Sequence, residues 1–456
     1  MTGNSALQEL FDTCGTAELV SHGVRLSATA LHHGADDWSR ALRRAGITRG
    51  DRVICALPNG AAFTKLLVAA LADGVTLAPV PEGEDVIPLL DALDARIAIA
   101  TKSSHPHVAV PSRAGGPPGG PMLPRHSTTR TDALAFLLRS SGTTAQPRWV
   151  AISDTSVLSV LQSHLPLLGI DGSSALCVLP WHHAFGLILG LIPALLRARR
   201  IVTSQDALRD SDTLIAVAQE NGITHLSMVP LIATRLTERP DGRQLLSALE
   251  GGLVGGAPID GSLAAHLSTT RLRVGYGQTE ASPGIMLGNP GEFSAGFIGR
   301  PVGCDVRIES DGVLAFHGAN ACDGYWQDGT LQTLDADRWH RTDDLVTHDS
   351  TGYTFVGRTS QSFKLANGKL VDAPRIETAL RSALPTVSDI VLTSRDGRTI
   401  DVLYSTHDSF SIDVTVFRHA LGGLQTYFHT AQCVSADTWV RSPKGEINRR
   451  QLPRVN

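Results

Sequence analysis

The segment Leu138–Val150 reads Leu-Arg-Ser-Ser-Gly-Thr-Thr-Ala-Gln-Pro-Arg-Trp-Val, and the apolar run Ala133–Leu138 before it predicts a buried strand. Small residues let backbone N–H groups approach an anion closely, and hydroxyls can donate to phosphate oxygens. Arg148 adds a cation whose fork geometry suits phosphate. Composition alone is equally compatible with a polar surface turn. The segment is therefore a candidate phosphate-binding loop, with contacts from Ser140, Ser141, Gly142, Thr143, Thr144 and Arg148.

The bulk composition is that of a globular protein with more than one domain. The chain has 456 residues, 42% of them hydrophobic, and a net charge of −4 without a dense basic patch, which argues against nucleic acid as a partner. Its longest apolar stretch, Leu187–Leu196, is too short to cross a bilayer and predicts a buried helix. No secretory signal is recognisable, and six scattered cysteines fit a reducing cytoplasm. We therefore expect a cytoplasmic enzyme without membrane contact.

Strand and helix patterns alternate upstream of the loop. Arg52–Leu57 and Val75–Val80 read as buried strands, with an apolar helix over 61–72 between them and another helix over 38–45 in front. Strand, helix and strand at this spacing predict a right-handed parallel crossover in an α/β domain.

Further predicted strands downstream end in glycines. Thr224–Pro230 is predicted as a strand, Leu253–Pro258 reads Leu-Val-Gly-Gly-Ala-Pro, and Val274–Glu280 reads Val-Gly-Tyr-Gly-Gln-Thr-Glu. Ligands of open parallel sheets bind at the carboxyl ends of the strands. The strand ends near residues 142, 255 and 277 therefore predict one crevice built from three loops.

The segment Val178–Gly186 reads Val-Leu-Pro-Trp-His-His-Ala-Phe-Gly and predicts a strand end, a turn and a helix start. On position alone, a His pair beside Trp and Phe is more often a packed aromatic cluster than a catalytic site.

Taken in order, these motifs resemble those of the adenylate-forming enzymes: acyl-CoA synthetases, aryl-acid ligases, peptide-synthetase adenylation domains and luciferases. Their phosphate loop reads Ser/Thr-Ser-Gly-Thr-Thr-Gly-x-Pro-Lys-Gly-Val, so Ala145, Arg148 and Trp149 are departures. The Tyr-Gly-x-Thr-Glu motif is matched at Tyr276–Glu280, and Trp-x-x-Thr-Gly-Asp-Leu at Trp339–Leu345 with Asp343 in place of Gly. The resemblance runs from about residue 40 to residue 453.

The resemblance implies roles for individual residues. Tyr276 would stack on adenine, Thr279 would bond the α-phosphate and Glu280 would hold Mg²⁺. Asp344 would bind the ribose hydroxyls, and Arg358 would contact the ribose or a phosphate. Nucleotide contacts are expected at Ser140, Ser141, Gly142, Thr143, Thr144, Arg148, Gly255, Gly256, Ala257, Tyr276, Gly277, Gln278, Thr279, Asp344, Val356 and Arg358. The acid pocket is expected at Trp181, His183, Phe185, Val229, Gly277 and Gly284, with His183 as a gate or wall.

The resemblance implies an α/β fold with two domains. Residues 1–359 would form a large domain with mixed or parallel sheets and flanking helices, and residues 360–456 a small, rotating α+β domain. The hinge pattern Gly-Arg-x-Asp appears as Gly357–Ser360, with Ser360 in the Asp position. Asn367-Gly368 predicts a two-residue hairpin turn, and Pro374–Glu377 the first helix of the small domain.

The C-terminal motif carries the largest departure. Ser442–Arg450 aligns with Thr/Pro-x-x-Gly-Lys-Ile-x-Arg, so Glu446 stands where the family has its catalytic Lys. At ~4 Å and an effective dielectric of 20, this exchange turns a contact of about −4 kcal/mol into one of about +4 kcal/mol. Lys444, Arg449 or Arg450 could supply the cation, the small domain could serve chiefly the second step, or the substrate could differ from an ordinary carboxylate.

Three functions remain open. The first is an ATP- and Mg²⁺-dependent, AMP-forming ligase that passes a small acid to the thiol of CoA or of a phosphopantetheine carrier protein, with an aromatic acid preferred. The second is a relative that activates nitrite for reaction with an aromatic amine in secondary metabolism, which the loss of the Lys at Glu446 would allow. The third is a nucleotide-binding pseudoenzyme.

Overall fold

The computed structural model describes residues 17–21, 23–112, 115–119, 122–125, 134–140, 148–335, 337–384, 386–406, 412–441, 447–449 and 451–452. The chain divides into two compact units. The first contains Met1–Asp305 and His317–His340, and the second contains Val306–Phe316 and Arg341–Asn456. The sequence predicts a different boundary, after residue 359, for a small domain that rotates during the reaction. This boundary stays a prediction.

The first unit contains a mixed sheet that carries the candidate phosphate loop. Across this sheet the strands described are Thr330–Thr333, Gly324–Gln327, Trp149–Ser153, Leu134–Arg139, Thr76–Pro79, Arg52–Ala56, Ile97–Ala100 and Val108–Ala109. Arg52–Ala56 pairs in parallel with Thr76–Pro79, which confirms the predicted crossover. Leu134–Arg139 pairs antiparallel with Trp149–Ser153, so the loop connects two neighbouring strands.

Two further sets of strands belong to the first unit. One sheet runs in the order His225–Leu226, Ser174–Leu176, Arg200–Thr203, Glu18–Ser21 and Val24–Leu26. The other set runs in the order Leu253–Gly255, Arg273–Tyr276, Met286–Leu287 and Phe297–Pro301. Leu253–Gly255 and Arg273–Tyr276 are parallel, so their carboxyl ends lie side by side.

Helices flank these sheets. The α-helices described in the first unit are Ala28–Arg44, Ala61–Asp73, Ile87–Ala92, Asp154–Leu168, Ala184–Gly186, Ile192–Arg197, Ser211–Glu220, Pro230–Thr237, Pro240–Ala248 and Gly261–Leu267, with a π-helical turn at Leu187–Leu191 and 3₁₀ turns at Asp206–Leu208 and Thr279–Ala281. The helix Ala61–Asp73 ends at Gly74, whose φ of 65° is a left-handed conformation that glycine adopts without strain.

Three sequence predictions about these elements need correction. The helix predicted over 38–45 begins ten residues earlier, at Ala28, because the Oγ of Ser27 accepts from the N–H of Ala30 and caps it. The buried helix predicted over 187–196 is broken into a π-helical and an α-helical part. The strand predicted over Thr224–Pro230 extends only over His225–Leu226, since Pro230 starts a helix, a position that proline favours.

The largest apolar core lies in the first unit, on the helices Ala28–Arg44 and Ala61–Asp73 and the strands beside them. Trp38, Phe63, Phe136 and Trp181 are among its largest side chains, each at most 1% exposed. Burial of one such aromatic side chain stabilises the fold by about 1.5–3 kcal/mol, so this core fixes the strands from which the candidate loops extend.

The second unit is built from short sheets and two α-helices in its described part. Its strands run in the order Gly352–Arg358, His340–Asp349, Val313–His317 and Asp305–Ile308, followed by the pair Phe363–Lys364 and Leu370–Val371 and the sheet Val387–Thr393, Ile400–Thr406 and Phe428–Cys433. The helices are Ala373–Ala383 and Val414–Leu421, with 3₁₀ turns at Thr359–Gln361, Gly422–Tyr427 and Ala436–Thr438. The first helix predicted for this region from Pro374–Glu377 is thereby confirmed.

The hairpin turn predicted at Asn367-Gly368 is longer than two residues. Lys364 pairs with Leu370, and the N–H of Leu365 donates to the carbonyl of Lys369 at 2.9 Å, which leaves three residues in the loop. The Asn367 Oδ1 accepts from the Lys369 N–H at 3.1 Å and stabilises the wider turn.

In the described residues, no helix combines the length and apolarity that a membrane crossing requires.

Candidate active site

A tight turn follows the strand Arg273–Tyr276 and carries the Tyr-Gly-x-Thr-Glu motif. The N–H of Ile285 donates to the carbonyl of Tyr276 at 3.1 Å and closes this turn. A β-carbon on Gly277 would lie 1.5 Å from the carbonyl oxygen of Pro283, so only glycine fits there. Tyr276, Gly277, Gln278 and Thr279 are partly exposed, whereas Glu280 is buried at 9% exposure. The turn therefore presents one nearly buried carboxylate beside groups that a ligand can reach.

Glu280 is weakly neutralised. Its Oε1 lies 3.5 Å from the Nη2 of Arg148, whose side chain is 56% exposed, and the hydroxyl of Tyr325 donates to the same carboxylate. The Arg148 guanidinium also lies over the Tyr325 ring, 4.3 Å from its centroid. Burial raises the pKa of Glu280, although Arg148 and Tyr325 oppose this shift. A buried carboxylate with one loose cationic partner retains the capacity to bind a metal cation.

The donor chemistry of this turn suits magnesium carried by a nucleotide. Mg²⁺ is usually held by one or two carboxylates together with phosphate oxygens and water. Glu280 supplies one such carboxylate, and the guanidinium of Arg148 beside it is a group that can pair with a phosphate.

The candidate phosphate loop reaches the same turn from a different sheet. Its base is closed by the N–H of Ser140, which donates to the carbonyl of Arg148 at 2.9 Å. The predicted contacts at Ser141, Gly142, Thr143 and Thr144 lie outside the described residues. The three predicted loops do not extend from one sheet, since Leu134–Arg139 belongs to a different sheet from Leu253–Gly255 and Arg273–Tyr276. The contact between Arg148 and Glu280 nevertheless brings the end of the first loop to the third.

The Gly-Gly-Ala segment lies beside two predicted pocket residues. A β-carbon on Gly256 would be 3.8 Å from a methyl group of Val229 and 3.9 Å from the ring of Phe185. Gly255 is buried, and a β-carbon there would lie 2.3 Å from the carbonyl oxygen of Gly275, so the position requires glycine. Gly256 is exposed and Ala257 is partly exposed. Val229, Phe185 and Gly256 therefore share one surface next to the carboxyl end of Leu253–Gly255.

Trp181, predicted as a pocket residue, belongs to the core. Its side chain has no exposed surface, and its ring centroid lies 5.2 Å from that of Phe63. Asn59, in the turn after Arg52–Ala56, accepts from the Trp181 N–H at 3.0 Å and donates to the Leu179 carbonyl at 2.8 Å. Trp181 therefore anchors the turn that carries His182 and His183 to the core.

His183 is the exposed member of the His pair, and His182 lies beside it with 4.4 Å between ring centroids. Burial lowers the pKa of His182, so its ring is neutral near pH 7. The wall or gate role of His183 stays a prediction.

Gly284 lies against a buried imidazole that the sequence did not single out. A β-carbon on Gly284 would be 2.5 Å from the Nε2 of His164, and the Nδ2 of Asn320 donates to the Gly284 carbonyl at 2.7 Å. Burial lowers the pKa of His164 to about 4, so it is neutral at pH 7. No signal in the sequence marks His164, which stands within a long helix.

The second unit holds the predicted ribose residues together. Asp344 pairs with Arg358 in the register of neighbouring strands, and the Nε of Arg358 donates to the Asp344 Oδ1 at 3.0 Å. Val356 lies two residues before Arg358, and its carbonyl accepts from the Thr378 hydroxyl at 3.0 Å. Asp344 is 8% exposed, so this pair is a nearly buried ionic contact.

The described part of the C-terminal motif is fixed by an ion pair. The Nη2 of Arg449 lies 2.5 Å from the Oε2 of Glu377, a carboxylate that is 1% exposed. The Leu392 N–H donates to the Oε1 of Glu377 at 2.7 Å. Arg449 is therefore committed to a structural contact and is a poor substitute for the missing lysine. Lys444 and Glu446 lie outside the described residues.

Comparison with known proteins agrees with this architecture. The profile of the family described as AMP-binding enzyme matches residues 11–326. The feruloyl-CoA synthase of an Amycolatopsis species is 26% identical over 394 residues, which cover 80% of each protein. Escherichia coli MenE, solved with a phenylether-linked analogue of OSB-AMS, is 21% identical with a TM-score of 0.75, covering 95% of this chain and 96% of MenE. The amide bond synthetase McbA from Marinactinospora thermotolerans is 20% identical with a TM-score of 0.80, covering 98% and 99%.

The fold and the strand-end site define an adenylate-forming enzyme. The family match covers more than half of the chain, so the protein belongs to the AMP-binding enzyme family. The resemblance to the adenylate-forming superfamily, the α/β fold and the enzyme class of an adenylating acid–thiol ligase are confirmed.

Proposed function

We propose that this enzyme uses ATP and Mg²⁺ to convert a small, preferably aromatic carboxylic acid to an acyl-adenylate and passes the acyl group to the thiol of CoA or of a phosphopantetheine carrier protein. The observation that carries this proposal is the buried Glu280 carboxylate, 3.5 Å from the exposed guanidinium of Arg148, on a turn where Tyr276 and Thr279 are partly exposed. The turn offers a metal ligand and a phosphate ligand at one place.

In the proposed reaction the acid carboxylate attacks the α-phosphorus in line, and pyrophosphate leaves. Arg148 and the hydroxyls of the phosphate loop stabilise the charge that develops on the phosphates, and Mg²⁺, when bound at Glu280, neutralises part of it. Tyr276 stacks on adenine and Thr279 bonds the α-phosphate, while Asp344 and Arg358 bind the ribose hydroxyls. The acid needs no general base, because a carboxylic acid is ionised at neutral pH.

The preference for an aromatic acid rests on the surface shared by Phe185, Val229 and Gly256. An aromatic ring can stack edge-to-face on Phe185, and Gly256 leaves room for it. The name of the feruloyl-CoA synthase, a relative 26% identical in sequence, agrees with an aromatic acid.

A second candidate is the activation of nitrite for reaction with an aromatic amine. It is compatible with Glu446 standing in place of the lysine that would contact a carboxylate, and with the ion pair that holds Arg449 at Glu377. The nucleotide residues would keep their roles, so the two candidates differ in the group that attacks the α-phosphorus and in the acceptor, which is a thiol in the first and an amine in the second.

The test is pyrophosphate exchange into ATP with the full-length enzyme, across benzoic, cinnamic, short aliphatic and fatty acids, with nitrite plus an aminoaryl acid as a further arm. The proposal expects exchange that depends on an aromatic acid and Mg²⁺, followed by thioester formation with CoA or a carrier. AMP release that requires nitrite, with no exchange supported by any of the acids alone, would establish the second candidate instead. ATP binding by calorimetry without AMP formation in any arm would leave a pseudoenzyme. Glu280→Gln removes the proposed metal ligand and should lower this exchange. Glu250→Gln, at an exposed position, is its control.

A further inference from the structure

Two departures from the family pattern meet in the second unit. Asp343 stands where the resemblance expects Gly, and Ser360 stands where it expects Asp, seventeen positions further along the chain. The Asp343 carboxylate accepts from the hydroxyls of both Thr359 and Ser360, and its Oδ1 also accepts from the Ser360 N–H at 3.3 Å. In the family pattern the carboxylate would be at position 360 and the small residue at position 343, whereas here the carboxylate is at 343 and the small residue at 360.

The contact lies at a junction of the chain. Thr359–Gln361 is the 3₁₀ turn that connects the strand Gly352–Arg358 to the hairpin and helix that follow. Asp343 is on the neighbouring strand His340–Asp349, so its carboxylate ties that strand to the turn. The adjacent Asp344 binds Arg358, and the two aspartates together hold three consecutive residues, 358, 359 and 360.

The hydrogen bonds of Asp343 stabilise one conformation of the turn and can still break when the turn changes conformation. A carboxylate that accepts from two hydroxyls and one amide forms charge-assisted hydrogen bonds, which are stronger than neutral ones. Asp343 and Thr359 are half-buried and Ser360 is exposed, so water can replace part of these bonds when the turn rearranges. A change of φ and ψ at 359–361 must break them, since the donors belong to the turn and the acceptor does not.

We propose that Asp343 is a positioning residue that stabilises the present conformation of the 359–361 turn and thereby sets the ratio between the two half-reactions. This inference rests on the proposed function, since it needs two half-reactions that use different arrangements of the chain. Asp343 acts through Thr359 and Ser360 and touches no reacting atom.

The experiment uses four full-length proteins: wild type, Asp343→Gly, Ser360→Asp and the double variant. Asp343→Gly should raise amide hydrogen exchange in a peptide that covers 359–361 by about 10-fold, the low end for the loss of charge-assisted bonds. It should change the ratio of acid-dependent pyrophosphate exchange to thioester transfer by about 5-fold. Ser360→Asp alone places two carboxylates together and should raise hydrogen exchange as well, whereas the double variant restores one carboxylate and should return both readouts to within about 2-fold of wild type.

Asp349 provides a matched control on the same strand. Its Oδ1 accepts from the Thr351 N–H at 2.8 Å and from the Thr351 hydroxyl at 2.6 Å, yet it lies at the exposed end of the strand. Asp349→Gly should leave the ratio of the half-reactions unchanged. If Asp343→Gly does not fold, Asp343→Asn replaces it, with the same direction and a smaller effect.

Hydrogen exchange separates failure of this inference from failure of the proposed function, because it needs no substrate. Unchanged exchange at 359–361 in Asp343→Gly overturns the inference even in an active enzyme. A changed ratio that the double variant does not restore also overturns it, since the effect would then be a general loss of structure. If wild type forms no AMP with any acid, the proposed function fails, and the ratio between half-reactions that Asp343 is proposed to set fails with it.

Discussion

Glu280 and Glu377 are both buried glutamates, and their surroundings differ in one respect that separates a ligand from a structural residue. Glu377 is 1% exposed and is saturated by the Leu392 N–H at 2.7 Å and by Arg449 at 2.5 Å. Glu280 is 9% exposed, and its cationic partner Arg148 is 3.5 Å away on a largely exposed side chain. A buried charge with strong partners is costly to deprive of them and serves the fold, whereas one with a distant partner can still take up a cation.

The largest expected effect is on catalysis. Glu280→Ala should reduce Mg²⁺-dependent AMP formation by about 1000-fold, because it removes the proposed metal ligand where charge develops. The fold should remain intact, as measured by circular dichroism and thermal unfolding. Full activity in this variant would mean that Glu280 is not the metal ligand and that the comparison with Glu377 has no catalytic meaning.

Glu377→Ala should act on stability instead. It leaves the Leu392 N–H and Arg449 without their partner, and we expect the free energy of unfolding to fall by about 3 kcal/mol. Arg381→Ala is the control, because Arg381 lies 3.8 Å from Glu377 with a side chain 46% exposed and should cost under about 1 kcal/mol. The measurement is urea unfolding; equal effects in the two variants would contradict the structural role of Glu377.

Glu446→Lys tests whether the anchored C-terminal motif still accepts the family residue. With Arg449 held by Glu377, we expect the new lysine to preserve or raise carboxylate adenylation, by up to about 10-fold. Lys444→Ala in the same background asks whether Lys444 supplied the cation before. The readout is acid-dependent pyrophosphate exchange. Collapse of activity in Glu446→Lys would show that Glu446 has a catalytic task of its own.

The parts of this site that follow a strand could be predicted from sequence, and those that depend on packing could not. Gly277 and Glu280 lie on a turn whose glycine requirement is local, so their motif is readable along the chain. The burial of Trp181 against Phe63 and the contact of Gly284 with His164 depend on side chains over a hundred residues apart, which no short-range pattern reports.

The assignment of sheets shows the same limit. Alternating strands and helices predicted the parallel pairing of Arg52–Ala56 with Thr76–Pro79 correctly. The glycine endings do not tell which sheet a strand joins, and the strands before residues 142 and 255 belong to different sheets. Asp343 and Ser360 depart from two separate family motifs along the sequence, and only the tertiary contact shows that the two residues interact.

Tyr325→Phe sharpens the account of Glu280. It removes the hydroxyl that donates to the carboxylate and keeps the ring under Arg148. We expect the Mg²⁺ concentration for half-maximal activity to change by about 5-fold, the equivalent of one hydrogen bond of about 1 kcal/mol. Tyr353→Phe, in the second unit, is the control. No change in the Mg²⁺ dependence would mean that Tyr325 does not orient Glu280.

The smallest effect concerns pH and the stability of the enzyme without ligands. Burial raises the pKa of Glu280 above its ordinary value of 4.5, so the folded state binds this proton more tightly than the unfolded state. The ionised side chain therefore destabilises the fold above the folded pKa, and this cost disappears as pH falls below 4.5. Glu280→Gln carries no charge and should be more stable than wild type at pH 7, by about 1 kcal/mol.

The difference in unfolding free energy between wild type and Glu280→Gln should shrink as pH is lowered through the folded pKa, which urea unfolding at several pH values can follow. Glu250→Gln, at an exposed position, should show no such trend. Addition of MgATP should reverse the order, because a ligand that binds the folded wild type through Glu280 stabilises it by mass action. A difference that does not change with pH would place its origin in packing, and Glu280 would then be a structural carboxylate like Glu377.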